Sequence, residues 1–154
     1  MHNESPQVKF LANLLVAIQF TSLALLVSLA TLRFSSRYIY ANIALIFLVL
    51  YILWRAYVAL KPSLRVNPIP KEDAEYIQIG IYSRIRHPMY VAVILAGLAL
   101  SGMSSHKASV IILMFLIINM LVKANLEDRL LLKRHPELWE YQSRVPAFIP
   151  CRCK

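Results

Sequence analysis

Two short stretches hold side chains able to do chemistry together: Arg86-His87-Pro88-Met89-Tyr90, and Glu127-Asp128 forty residues beyond His87. The first offers a guanidinium, an imidazole and a phenol around a proline; the second offers two carboxylates. Proline favours the first position of a helix and pushes the residue before it out of helical conformation. A helix should therefore begin at Pro88, with His87 near its N-cap. A helix N-terminus flanked by Arg86 and His87 attracts an anionic group through its dipole and its backbone N–H groups. Glu127 or Asp128 would hold an ammonium.

Whether these groups meet depends on the elements between them. Residues 10–32, 38–54, 88–105 and 108–122 contain no Asp, Glu, Lys or Arg. A hydrocarbon core of about 30 Å needs roughly 20 apolar residues to cross. The first block meets that alone. The second meets it if Arg55 snorkels and the helix runs on to Leu60; the last two blocks are short. With 58% hydrophobic residues, 16% charged and three glycines in 154 residues, the composition is far from that of a soluble domain. The expectation is an all-α, polytopic membrane protein with about four transmembrane helices. The last two form a hairpin extended by a cytoplasmic C-terminal helix. It reads as one membrane domain, 1–154: an N-terminal helical hairpin (1–60), a cytoplasmic loop (61–87), then a second hairpin with a tail (88–154).

Residues 10–32 exceed the ~7–15 apolar residues of a signal peptide's core and read as a retained span. In the loop, Pro62, Pro68 and Pro70 prevent a continuous helix. Of 17 Lys and Arg residues, thirteen fall on the side shared by the N-terminus, the loop and the tail. Arg33, Arg37 and Lys107 fall on the other side, and Arg55 lies inside a span. The positive-inside rule then places both termini in the cytoplasm. The net charge of +9 is a topology signal with some attraction to membrane lipid headgroups; it does not point to nucleic acid. Cys151 and Cys153 lie on that reducing side, where a structural disulfide is not expected, and no metal site is expected.

The hairpin closes the argument. Eighteen residues separate His87 from Ser105, and twenty-one separate His106 from Glu127. Near-equal arms should return Glu127-Asp128 beside Arg86-His87. Paired basic and acidic groups suit a zwitterionic ligand, and Tyr82 and Tyr90 could stack on a base or face a cation. S-adenosylmethionine combines an amino acid head, an adenine and a sulfonium. Each motif also has a plainer reading, as a boundary anchor, a solvated helix face or a chance His-Pro, and His135 reads as a helix stop. Trp139, Tyr141 and Phe148 suit a membrane interface. The residues alone reach a membrane protein with a polar site on its cytoplasmic face.

The segment resembles the isoprenylcysteine carboxyl methyltransferase family and its relatives, the phospholipid methyltransferases. That family reads G-x-Y-x-x-x-R-H-P-x-Y-x-G, a hydrophobic stretch, R-x-x-x-E-E-x-x-L, and a tail V-P-x-F-x-P. This chain has Gly80, Tyr82, Arg86, His87, Pro88 and Tyr90 in register, then Lys123, Glu127, Asp128 and Leu131, then Val145, Pro146, Phe148 and Pro150. It departs from the pattern at Ala92, Asp128 and Lys123. The resemblance implies an S-adenosylmethionine-dependent methyltransferase with cofactor contacts among Gly80, Tyr82, Arg86, His87, Pro88, Met89, Tyr90, Glu127 and Asp128. It puts Lys123 at the position that meets a substrate carboxylate. The implied acceptor is lipophilic, an isoprenylcysteine-like carboxylate or a similar small acid or thiol. The alternatives are a phospholipid N-methyltransferase, a non-enzymatic membrane subunit, and a relative of the NADPH-dependent sterol reductases.

Overall fold

The computed structural model describes residues 5–60 and 78–150. The proline-bearing part of the loop, with Pro62, Pro68 and Pro70, lies outside the described residues, as do Cys151 and Cys153.

Helix α1 spans Pro6–Leu32. Ser5 caps it, its hydroxyl accepting from the Val8 N–H at 3.4 Å, and Pro6 follows at the first position, a pairing that satisfies one orphan donor and presets the backbone. Helix α2 spans Ile39–Leu60, α3 spans Pro88–Gly102 and α4 spans Ala108–Arg134. A short 3₁₀ turn, Gly80–Ser83, precedes α3. A second, Pro136–Leu138, leads into α5, Trp139–Arg144. His87 is the N-cap of α3, and α4 ends at Arg134, just before His135-Pro136. Among the described residues there is no β-strand, only an isolated pairing of Phe34 with Ser104.

Helices α1, α2 and α4 are long and apolar enough to cross a membrane. The uncharged block 108–122 is short, but its helix is not, because 123–134 continue it with good helix formers. Helix α3 is apolar but shorter; its 15 residues rise about 22 Å. Large apolar side chains such as Phe20, Phe47, Leu50 and Phe115 are exposed along the long helices, as an integral membrane protein requires where its solvent is lipid.

The buried face of α1 is a helical stripe: Ala12, Leu15, Gln19, Ser22, Leu26 and Ala30. It packs on α4, while α2 packs on α3, and α3 touches both α1 and α4. Leu26, Leu116 and Met120 form one fully buried cluster, against which Tyr90 and Val93 pack. At Gly97 the helices come too close for a side chain. A Cβ there would lie 2.6 Å from Leu116 Cδ2 and 3.2 Å from Leu113 Cδ1. The two turns at the other end are also tied together. The Ser35 N–H donates to the Met103 carbonyl at 2.8 Å, and the Ser105 N–H to the Arg33 carbonyl at 2.8 Å.

Candidate functional site

The site lies where α3 begins. Gly80 opens the 3₁₀ turn with φ +66°, a left-handed backbone that costs other residues about 1–2 kcal/mol. The chain then runs through Arg86 and His87 to Pro88, which is fully buried. The tail comes back to meet this piece. The Arg86 N–H donates to the Pro146 carbonyl and the His87 N–H to the Ala147 carbonyl, both at 3.0 Å. The buried Tyr141 donates its hydroxyl to the Tyr82 carbonyl. Tyr141 is therefore no interface aromatic, while Trp139 stays exposed.

Helix α4 returns its acids to the same place. Arg86 Nη1 lies 2.9 Å from Asp128 Oδ2, and His87 Nε2 lies 3.0 Å from Asp128 Oδ1. One carboxylate thus holds both basic groups. Since an ionised carboxylate only accepts, the proton of this bond belongs on Nε2. Gln142 Nε2 adds a 3.3 Å bond to the Asp128 backbone carbonyl. Glu127 has different company. The Tyr90 hydroxyl donates to its Oε2 at 2.8 Å, and His87 Nδ1 stands 3.7 Å away. Its side chain keeps 31% exposure, against 16% for Asp128. The imidazole of His87 is stacked on the Tyr90 ring, centroids 5.3 Å apart and planes 4° apart, with Phe148 tilted at 6.0 Å on it. Burial, then the nearby Glu127 carboxylate and Tyr141, hold the Tyr82 hydroxyl above its ordinary titration range, so it is a protonated donor at neutral pH.

Among the described residues, Lys123 is the largest fully buried side chain. Its ammonium donates to Gln19 Oε1 of α1 at 2.6 Å and lies 5.1 Å from the centre of the Tyr90 ring, a cation–π separation. Gln19 is itself buried.

Of the residues singled out from sequence, Arg86, His87, Tyr90, Lys123, Glu127 and Asp128 share one interconnected cluster. Tyr82 and Gly80 lie on the turn leading into it, and Met89 is half-buried in the first turn of α3. The opposed basic and acidic pairs do meet, but they neutralise each other across Asp128. The backbone N–H groups of Arg86 and His87 bond the tail. Three features were missed: the tail carbonyls, Phe148 as a partner of His87, and Gln19. Each left a trace, since Pro146 and Pro150 keep the tail out of a helix and Gln19 is a lone amide in the apolar face of α1.

Among the described residues, no group of three or more His, Cys, Asp and Glu side chains is arranged to hold a metal ion. Two similar proteins are named for metal resistance. The cobalt-zinc-cadmium resistance protein CzcN of Cupriavidus metallidurans is 41% identical over 82 residues, 52% of this chain and 38% of that protein. The nickel-cobalt-cadmium resistance protein NccN of Alcaligenes xylosoxydans xylosoxydans is 35% identical over 82 residues, with the same 52% and 38% coverage. The chain thus spans well under half the length of these relatives. No solved structure matches it. The sequence profile of phospholipid methyltransferases matches residues 36–137, which run from the start of α2 through α3 and α4 and take in the whole Arg86–Asp128 cluster. With about two thirds of its residues inside that profile, the chain belongs to the phospholipid methyltransferase family.

Proposed function

We propose that the chain is an S-adenosylmethionine-dependent methyltransferase acting on a lipophilic acceptor at the cytoplasmic surface of a membrane. The observation that carries this reading is the different state of the two neighbouring acids. Asp128 is committed to Arg86 and His87, while Glu127 is held by Tyr90 and keeps part of its side chain exposed. A fixed, partly exposed carboxylate suits an ammonium group, and charge-assisted bonds of this kind are the strong ones. The half-buried ring of Phe148, tilted on His87, gives aromatic surface beside it for a base, while the His87 ring is buried against Tyr90, whose ring already meets the Lys123 ammonium. The donor set therefore fits the cofactor. Glu127, Tyr90 and His87 would hold it, with Gly80 and Tyr82 on the adjoining turn and Pro88 and Met89 setting the start of α3. Bound S-adenosylmethionine supplies an electrophilic methyl group on sulfur.

What the chain contributes is orientation and exclusion of water. A carboxylate acceptor, such as an isoprenylcysteine-like acid, has no proton to lose at neutral pH and needs no base. An apolar acceptor tail can lie among the exposed side chains of the long helices, in the lipid layer. We place α3 as a fourth, tilted crossing, with α3 and α4 as a hairpin and both termini in the cytoplasm; a short span is accommodated by thinning or tilt. The family profile favours a second acceptor class, a phospholipid amine. The two relatives' names add a setting to test, growth under divalent-metal stress.

The deciding experiment is calorimetry on the purified chain with S-adenosylmethionine and, separately, NADPH. Binding of the first alone supports the reading, and binding of NADPH alone overturns it. Labelled methyl transfer into lipophilic carboxylates, thiols and phospholipid amines then identifies the acceptor.

A further inference from the structure

Gln19 and Lys123 are an unusual pair for two helices that pack inside a membrane. Gln19 is 7% exposed and Lys123 0%, on α1 and α4, which touch directly. Burying an ammonium is costly even when it is paired, and an ionisable side chain within a span ordinarily marks a site that uses it. Docking of the two helices does not require this pair. One turn earlier on α4, the Asn119 Nδ2 already donates to the Leu15 carbonyl of α1 at 3.0 Å, and Leu26, Leu116 and Met120 supply apolar packing.

The pair leads toward the site. The Gln19 amide oxygen accepts from Lys123 Nζ at 2.6 Å, Nζ lies 5.1 Å from the Tyr90 ring centre, and the Tyr90 hydroxyl donates to Glu127 at 2.8 Å. Three contacts connect α1 to the partly exposed carboxylate of Glu127. We propose that Gln19 is a positioning residue for the cofactor site: it holds the Lys123 ammonium against the face of Tyr90, and Tyr90 fixes Glu127. Helix α1 before residue 36, outside the stretch matched by the family profile, thereby becomes a working part of the site. The inference rests on the methyltransferase reading above.

Calorimetry with S-adenosylmethionine on the full chain, beside thermal unfolding of the same samples, tests it. Gln19→Leu and Lys123→Met should each weaken binding by about tenfold, the lower end for a charge-assisted bond. The double variant replaces the pair with apolar side chains, so it should unfold no earlier than the parent. It should also bind no worse than the weaker single variant, because both changes break one chain of contacts. Gln19→Glu keeps an acceptor at the same reach and should stay within about threefold of the parent, given the context dependence of such bonds. If Gln19→Leu does not fold, the double variant and Gln19→Glu carry the test. Parent-like binding by the double variant overturns the inference alone, as do losses that multiply. A parent that binds no S-adenosylmethionine overturns the methyltransferase reading, and this inference with it.

Discussion

Asp128 and Glu127 are chain neighbours on α4, yet their surroundings give them opposite work. Asp128 bonds Arg86 and His87 with one oxygen each, so its loss strands a guanidinium that is only 14% exposed. Asp128→Asn should destabilise the fold by about 2 kcal/mol, less than for a fully buried pair because solvent reaches both partners. Glu127→Gln keeps an oxygen for the Tyr90 hydroxyl and should leave unfolding nearly unchanged. It removes the charge that an ammonium would meet, and S-adenosylmethionine affinity should fall by about ten- to a hundredfold. Thermal unfolding and calorimetry on both variants separate the two roles. If Asp128→Asn is the neutral one in stability, the division between the acids is wrong.

At the scale of elements, the close approach of α3 to α4 decides whether the acids reach the basic pair. Gly97 permits it: an added Cβ would press on Leu116, a fully buried side chain, at 2.6 Å and on Leu113 at 3.2 Å. Overpacking of this kind costs about 1–3 kcal/mol. Gly97→Val should lower the unfolding temperature and weaken cofactor binding together, although it lies well along α3 from His87. Unchanged unfolding in that variant would mean that α3 and α4 can separate without consequence. The tail is a second positioning element. Its carbonyls at Pro146 and Ala147 fix the backbone of Arg86 and His87, which is why a stretch read as interfacial contributes Phe148 to the site.

For the whole molecule, the proposed orientation rests on charge. Twelve of 17 Lys and Arg residues belong to the segments assigned to one side, with Lys123 buried between α1 and α4, and positive charge is retained in the cytoplasm. Reporters fused to each terminus and to the loop at 61–77 should all report cytoplasmic location. A C-terminus on the opposite face from the N-terminus would contradict the pairing of the two turns, Ser35 with Met103 and Ser105 with Arg33, and overturn the four-crossing arrangement.

The helices and most of their limits were legible in the residues, although α1 begins at Pro6, four residues before its uncharged block. Uncharged blocks specify spans, His87-Pro88 starts α3, and His135-Pro136 follows the end of α4. Counting residues on two near-equal arms was enough to bring Glu127-Asp128 back to Arg86-His87. Not legible were which acid takes which base, that the tail's carbonyls claim two backbone N–H groups, and that Lys123 turns to Gln19 and Tyr90. Those choices depend on how each helix is rotated about its axis. In a membrane helix, apolar on nearly every side, hydrophobic periodicity marks no inward face, because lipid is as apolar as a protein core. Only packing fixes the rotation, through close approaches such as Gly97 and hydrogen bonds such as Asn119 to Leu15.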